Sequence, residues 1–213
     1  MHLIATPTTL TVAKVHLSKK DSVLLEVIEK AGLPTITPHK NYYQELVGSI
    51  ISQQLSVKAA STILKRFVNL FDGTDFPTPD QILRVDTEQL RGVGLSRQKD
   101  SYIQDLALKV LDRTVKFTHL DGLTNDEIIA ELTQIKGVGV WTVHMFLMFC
   151  MGRLDVLPIG DLGIKNGIRK LYDLDHSPTP DEITAIAKKN NWHPYESVAS
   201  WYVWHSLDNT PAL

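Results

Sequence analysis

The sequence predicts an all-α protein, and three observations support that prediction. Apolar residues recur at three- and four-residue steps through almost the whole chain, which is the period of a helix with one buried face. Ser, Thr, Asp or Pro precedes most of these runs, as expected at helix N-termini. Extended, β-branched character is confined to TTLTVAKVHL near the N-terminus. We therefore expect helices nearly everywhere except at residues 8–17.

The size and charge of the chain bound its class. With 213 residues, it can bury a sizeable core in one large domain or two small ones. A net charge of −2 argues against a globally basic nucleic-acid binder. Any contact with DNA would therefore come from a few loops.

Cysteine usage and hydropathy narrow the class further. Cys150 is the single cysteine and lies in an apolar run, which excludes an internal disulfide and a four-cysteine iron-sulfur cluster and favours a buried thiol. The apolar runs are far shorter than the roughly 20 residues needed to span a bilayer, and no signal-peptide core is seen. We expect a soluble protein without a membrane partner that is not secreted, located in the cytoplasm or nucleoid of a prokaryote or the nucleus of a eukaryote.

Two helices are predicted on either side of a short polar junction. Residues 42–52 carry apolar side chains on one broad face, and residues 57–71 repeat them at helical spacing with Ser56 as a candidate N-cap. The junction reads QQLS. Such junctions usually only turn the chain, and Leu55 on this basis would be a core residue between the helices.

The next helix is predicted from a proline-rich approach, FPTPDQILRVD. Thr78 or Asp80 would cap it, and its apolar stripe would run through Ile82, Leu83 and Leu90. Its cap and its stripe together predict one helix that continues toward the first of two glycine pairs.

The two glycine pairs each separate predicted helices. The first, RGVG, ends at Gly94 and precedes the amphipathic run SRQKDSYIQDLALKV. The second, KGVG, ends at Gly139 and follows TNDEIIAELTQI, which Thr124 or Asn125 would cap. The chain thus contains a weak internal repeat of two helix, turn, helix units.

Three further helices are predicted after the second unit. One begins near Leu162 in DLGIKNGIRKLYDL, and PTPDEITAIAKKNN and PYESVASWYVWHSL form the last two, each opened by a proline. Trp201, Tyr202 and Trp204 are too close in sequence to share one helix face. At least one of them must therefore pack in the core.

The glycines of KGVG suggest a binding function for the second turn. Glycine adopts a positive φ at little steric cost and lets another group approach the backbone closely. Placed before a helix, Gly137 and Gly139 would leave amides of the helix N-terminus open to an anion such as a DNA phosphate. A tight turn without a ligand is the alternative, but basic side chains lie near both turns: Arg91, Arg97, Lys99 and Lys136.

Three segments resemble the helix-hairpin-helix DNA glycosylase superfamily that includes endonuclease III. LTQIKGVGVWTVHMF is followed by LPIGDLGIKNGIRKLY at the spacing of the superfamily's Gly/Pro-Asp signature, and SIISQQLSVKAA precedes both in the right order. The chain is most similar to the alkylation-repair branch, the 3-methyladenine DNA glycosylase II family. The resemblance implies a two-subdomain helical fold with the active-site cleft between the subdomains.

The resemblance also implies domain boundaries and an activity. Residues 42–153 would form a central helical subdomain containing the helix-hairpin-helix at about 124–150, and residues 1–41 with 154–213 would form the other. The activity would be monofunctional: the enzyme flips alkylated bases of the 3-methyladenine and 7-methylguanine type out of duplex DNA and excises them in base excision repair. We expect a monomer that needs no cofactor for catalysis.

Asp161 is the catalytic carboxylate by this resemblance. Breaking an N-glycosidic bond builds positive charge on the sugar, as in glycoside hydrolysis. A fixed carboxylate in a water-poor pocket opposes that charge, and it can orient or deprotonate the attacking water. The sequence alone favours Asp161 as the N-cap of the following helix, and the two roles are compatible.

Trp141 occupies the position where bifunctional members of the superfamily carry a lysine that attacks the sugar. The resemblance therefore implies no lysine-based lyase step. The indole is a candidate for the base pocket, because an electron-rich ring face attracts a cationic base, and the alternative is a core residue. The other pocket candidates are Met145, Trp201, Trp204 and His205, with Met145 and His205 at positions where the family has base-stacking tyrosines.

The resemblance assigns DNA contacts to the junction and the hairpin. Leu55 would insert into the gap left by the flipped base, and Gln53 and Gln54 would reach the orphaned partner base. A DNA phosphate would be held by the hairpin, through Lys136 and the amides of Gly137, Val138 and Gly139. A monovalent cation, Na⁺ or K⁺, would be coordinated by the carbonyls of Thr133, Ile135 and Val138.

Two rival functions remain open at this point. One is a non-catalytic helix-hairpin-helix DNA-binding protein in which Asp161 only caps a helix. The other is an endonuclease III-like glycosylase and lyase, which Trp141 and the lack of a cysteine cluster disfavour.

Overall fold

The computed structural model describes residues 2–71 and 75–207. These ranges contain α-helices, a 3-10 turn at Phe117–Gly122 and a π-helical turn at Phe146–Cys150, but no β-strand. The helices are α1 (Pro7–Lys20), α2 (Ser22–Ala31), α3 (Tyr42–Ser52), α4 (Val57–Val68), α5 (Pro79–Arg84), α6 (Thr87–Gly92), α7 (Arg97–Leu111), α8 (Asn125–Leu132), α9 (Val140–Met145), α10 (Leu162–Leu171), α11 (Pro180–Lys189) and α12 (Glu196–His205). The all-α prediction is confirmed. None of these described helices is both long and apolar enough to cross a membrane.

The chain divides into two compact units, here called the terminal unit and the central unit: Met1–Lys40 with Leu147–Leu213, and Asn41–Phe146. The second boundary therefore precedes Leu147, whereas the sequence placed it after Arg153. Hydrogen bonds explain the difference, because the backbone amide of Ala5 donates to Gly152 at 2.7 Å and that of Leu154 donates to Leu3 at 3.1 Å. The segment after α9 is thus tied to the start of the chain.

Residues 8–17, which the sequence predicted to be extended, form most of α1 instead. Thr6 and Thr9 form a capping box, and Pro7 occupies the first helical position, where its fixed φ suits a helix. The helix buries side chains at three- and four-residue steps: Leu10, Ala13 and Leu17. Capping and burial thus outweigh β propensity, and Val12 and Val15 stay exposed.

The core of the central unit lies around α3, which packs on α4 and α7. The predicted apolar face of α3 is buried through Leu46, Ile50 and Ile51. Ser56 caps α4 as predicted, but the helix ends at Val68, before the predicted limit. The QQLS junction lies between α3 and α4.

The proline-rich segment forms two short helices where the sequence predicted one. Thr78 caps α5 through a capping box with Gln81, and α5 ends at Arg84. Leu90 lies on α6, because Asp86 starts a second capping box there. Both helices pack on α7.

The terminal unit is built on α12, which packs on α1, α2 and α10. Asp21 is fully buried at the N-terminus of α2, where one oxygen of its carboxylate accepts hydrogen bonds from the Trp192 indole at 2.7 Å and the Tyr172 hydroxyl at 2.5 Å. These bonds compensate for its desolvation. Cys150 is buried, as predicted.

Candidate active site

The turn between α8 and α9 is in close contact with α7. Thr124 caps α8 through a capping box with Glu127, and Gly139 is the N-cap residue of α9. Gly137 has a φ of +78°, and a Cβ at this position would lie 2.0 Å from the ring of Tyr102. Glycine is therefore required at position 137 both by the backbone conformation and by this contact.

The amides of the hairpin turn differ in their availability. The Val138 amide donates to the carbonyl of Ile135 at 3.1 Å, so it is already engaged within the turn. The amides of Gly137 and Gly139 have no acceptor among the described residues. Of the three amides that the sequence assigned to a phosphate, these two remain suited to that role.

Lys136 extends beside the turn with 66% of its side chain exposed. Its backbone amide donates to Asp105 at 2.8 Å, and its ammonium group lies 3.6 Å from the other oxygen of the same carboxylate. Asp105 therefore balances part of the charge that the sequence assigned to phosphate binding.

The carbonyls proposed for a monovalent cation are only partly engaged. The Ile135 carbonyl accepts the bond from Val138, but no backbone amide among the described residues donates to the carbonyls of Thr133 or Val138. Carbonyl oxygens carry two lone pairs each, so the turn retains the acceptor capacity that Na⁺ or K⁺ would need.

The first glycine pair forms a packing turn. Gly94 has a φ of +107°, and a Cβ there would lie 3.1 Å from Ile63 of α4. Lys99, which the sequence grouped with the cations near this turn, instead donates to the carbonyls of Ile51 and Gln53, both at 2.7 Å. Its burial lowers the pKa of Lys99. The ammonium group thus stabilises the C-terminal end of α3.

The QQLS junction is exposed and conformationally constrained. Leu55 is 39% exposed, so its interpretation as a core residue is wrong. Gln54 has a φ of +58°, in the left-handed region that few side chains adopt. Gln53 donates from Nε2 to the carbonyl of Gly137 at 2.8 Å. Gln53 therefore has a partner within the protein, whereas the sequence suggested that it reaches a base.

Asp161 combines the predicted N-cap with a second contact. Its Oδ1 accepts one hydrogen bond from the amide of Ile164 at 2.7 Å, which caps α10, and another from the indole Nε1–H of Trp204 at 2.8 Å. Gly163 leaves room for the indole, since a Cβ there would lie 2.8 Å from the Trp204 ring and 3.0 Å from Oδ1. Two donors therefore fix the orientation of a partly buried carboxylate.

Two pocket candidates of the central unit, Trp141 and Met145, lie on α9. Trp141 is 49% exposed, so its interpretation as a core residue is wrong, whereas Met145 is buried. His144 lies between them and is half-buried, and its burial lowers the pKa of the imidazole. About half of the Trp141 surface is therefore exposed to solvent.

The pocket candidates of the terminal unit lie on α12. Trp201 and His205 stack with ring centroids 4.8 Å apart and planes 13° from parallel, and His205 Nδ1 is buried without a hydrogen-bond partner among the described residues. Tyr202 packs in the core and donates from its hydroxyl to the carbonyl of Gly32 at 2.8 Å. Trp201 and Trp204 are buried as well, so the prediction that at least one of the three neighbouring aromatic residues packs in the core is confirmed.

Sequence reasoning missed Tyr102 and Gly163 at these sites, and it missed the contacts of Lys99. Tyr102, against Gly137, and Lys99, beneath the junction, lie in an ordinary amphipathic helix whose pattern gives no sign of these contacts. Gly163 could have been noticed, because a glycine in the first turn of a helix is unfavourable unless close packing requires it.

Comparison with known proteins identifies the family of this chain. The sequence of residues 47–191 matches the family model of the HhH-GPD superfamily of base excision DNA repair proteins. DNA-3-methyladenine glycosylase 1 of Schizosaccharomyces pombe is 36% identical over 201 residues, which cover 92% of this chain and 87% of the relative. The alkylbase DNA glycosidase-like protein mag2 of the same yeast is 33% identical over 196 residues, which cover 90% and 91%.

Two solved structures are similar throughout their length. The S. pombe 3-methyladenine DNA glycosylase Mag1 in complex with abasic DNA has a TM-score of 0.79 at 34% identity and covers 94% of this chain and 98% of that chain. The DNA-3-methyladenine glycosidase of Bacillus halodurans also has a TM-score of 0.79, at 38% identity, and covers 97% and 92%.

The chain belongs to the HhH-GPD superfamily of base excision DNA repair proteins. Within that superfamily, its relatives carry the names of 3-methyladenine glycosylases and alkylbase glycosidases. The assignments made from the sequence to a DNA glycosylase and to the alkylation-repair branch are confirmed.

Proposed function

We propose that this protein is a monofunctional DNA glycosylase that flips alkylated bases of the 3-methyladenine and 7-methylguanine type out of duplex DNA and excises them. The observation that carries the proposal is the Asp161 carboxylate, which two donors hold in one orientation at the N-terminus of α10. The indole of Trp204 supplies a donor in addition to the amide that capping uses, so the carboxylate is held more firmly than by the cap alone.

The reaction follows from the charge of the substrate. A purine methylated at N3 or N7 carries formal positive charge, so the bond between C1′ and the base nitrogen breaks with its electron pair moving to the base, which leaves neutral. The positive charge that develops on the sugar is opposed by Asp161. Water then forms a bond to C1′, and Asp161 orients it and takes up its proton.

Trp141 supports a hydrolytic route without strand cleavage. A lyase step needs an amine that forms a covalent adduct with the sugar, and an indole nitrogen is not a nucleophile of that kind. The half-exposed ring suits a cationic base instead, because its face is electron-rich. We assign Trp141 to base recognition.

The DNA backbone and the gap in the duplex are assigned to the central unit. Leu55 is exposed on the junction, where an apolar side chain can offset lost base stacking. The open amides of Gly137 and Gly139 suit a phosphate oxygen, and a monovalent cation on the turn carbonyls would add positive charge beside it. We propose that the protein acts on lesion-containing duplex DNA as a monomer.

The test is base release from methylated duplex DNA under single-turnover conditions, with the released bases identified by chromatography. Asp161→Asn keeps the oxygen that caps α10 but removes the charge, so we expect release to fall on the order of 100- to 1,000-fold while affinity for abasic DNA is retained. Asp181→Asn, the same change in the exposed first turn of α11, is the matched control and should release bases like the wild type.

Other outcomes would favour the rival functions. A wild type that binds DNA but releases no base from methylated duplex would support a non-catalytic DNA-binding protein. Trapping of a covalent protein–DNA adduct by borohydride would support a lyase and contradict the assignment of Trp141.

A further inference from the structure

The side chain of Gln53 connects two segments that are far apart in sequence. It extends from the QQLS junction and donates to the carbonyl of Gly137, in the turn that precedes α9, at 2.8 Å. A glutamine whose role was only to meet a DNA base would be expected to point into solvent. Here the amide nitrogen is directed at the glycine hairpin.

Helix α7 supports both ends of this connection. Lys99 holds the junction from below through the carbonyls of Ile51 and Gln53, both at 2.7 Å. One turn further along α7, the ring of Tyr102 fills the space where a Cβ of residue 137 would lie. Residues three apart share one helix face, so the junction and the hairpin rest on the same side of α7.

Lys99 and Tyr102, here called the platform, are themselves held by hydrogen bonds. Gln98 donates to the Tyr102 hydroxyl at 2.5 Å, which fixes the ring that packs on Gly137. Charge-assisted bonds from an ammonium group are stronger than neutral ones, and Lys99 makes two of them, one to Ile51 in the last turn of α3 and one to Gln53 at the start of the junction. The junction therefore has little freedom to move independently of the hairpin.

We propose that Gln53 is a positioning residue that locks the Leu55 junction to the glycine hairpin on the platform of Lys99 and Tyr102, so that Leu55 enters the duplex in register with the phosphate held by the hairpin. This inference rests on the proposed function of both loops. It replaces the assignment of Gln53 to the orphaned base, and it leaves Gln54 as the glutamine exposed beside Leu55.

The two roles of Gln53 predict different dependence on the base opposite the lesion. Affinity is measured by fluorescence anisotropy with duplexes that carry one abasic-site analogue opposite A, C, G or T. Loss of one hydrogen bond should weaken binding of Gln53→Ala roughly 3- to 10-fold, by a similar factor for each opposite base. Gln44→Ala, at an exposed position of α3, is the matched control and should bind like the wild type.

A double-mutant cycle with Leu55→Ala tests the connection itself. If Gln53 acts by holding Leu55 in register, the loss in the double variant should be clearly smaller than the product of the two single losses. Thermal melting of each variant establishes that the fold is intact. A second double-mutant cycle, which combines Lys99→Met with Leu55→Ala, tests whether Lys99 also acts by holding Leu55 in position.

Three results would contradict the proposal that Gln53 positions Leu55. An effect of Gln53→Ala that is large opposite one base and absent opposite another would show that Gln53 reads the partner base. Wild-type affinity of Gln53→Ala, or independent losses in the cycle, would show that the bond to Gly137 does not position Leu55. Base release by the wild type is measured in parallel. If the wild type releases bases but Gln53→Ala binds DNA with wild-type affinity, the positioning role of Gln53 is wrong and the proposed function stands. If the wild type releases no base but the variants show the predicted losses of affinity, the proposed function is wrong and the positioning role stands.

Discussion

Replacement of Trp204 by phenylalanine tests the proposal that a hydrogen bond orients the Asp161 carboxylate for catalysis. The indole of Trp204 is 2% exposed and donates to Asp161 Oδ1 at 2.8 Å. Phenylalanine keeps an aromatic ring but has no donor, so the hydrogen bond from the indole would be lost while that from the amide of Ile164 would remain. Hydrogen bonds to charged groups contribute about 1.5–3 kcal/mol, and about 1.4 kcal/mol corresponds to a tenfold change in rate. We therefore expect single-turnover base release to fall roughly 10- to 100-fold.

The assay separates positioning from folding and binding. Saturating enzyme and a single 7-methylguanine in the duplex make the rate report the chemical step, and affinity for abasic DNA should stay near that of the wild type. The smaller ring leaves a cavity that lowers Tm, so the assay is run well below the transition of the variant. Gly163→Ala provides an independent steric route, because its Cβ would displace the indole from Oδ1. Rates within about threefold of the wild type for both variants would refute the reasoning.

Two further predictions concern the central unit. Lys136 is proposed to contact a phosphate as well as Asp105. Lys136→Ala should then reduce the magnitude of the slope of log affinity for DNA against log salt concentration by about 0.9. An unchanged slope would mean that Asp105 already neutralises the charge of Lys136. Burial lowers the pKa of His144, so below roughly pH 6.5 the unfolded chain binds protons that the folded chain does not, and stability should decrease as the pH falls. His144→Asn should reduce that decrease in melting experiments between about pH 6.5 and 5, and superimposable Tm profiles would contradict the assigned burial effect.

Local signals in the sequence were sufficient where the cause of a structure is local. Ser56, Thr78, Thr124 and Asp161 cap the helices that their sequences indicate, because capping depends on an oxygen and an amide two or three residues apart. The failure at α1 has a local cause as well. Its β-branched residues indicated an extended segment, but Pro7 and the capping box at Thr6 carried the correct signal.

The contacts that define the candidate site depend on partners distant in sequence. A positive φ at Gly137 could be anticipated from its place before a helix, but Tyr102 as the group that approaches it could not. Asp161 could be recognised as a cap, while its bond to Trp204 depends on how α10 and α12 pack in the terminal unit. Periodicity identifies the buried face of a helix, but it does not identify which neighbouring side chain donates to which oxygen.

Gly163 has a consequence for protein engineering. Alanine is favoured over glycine inside a helix by about 1 kcal/mol, and propensity-guided thermostabilisation of this chain would target the first turn of α10. The missing methyl group is what admits the Trp204 ring to Asp161. Libraries ranked by melting temperature alone would therefore favour a change that removes the donor from the carboxylate, and position 163 should be held fixed whenever activity is to be retained.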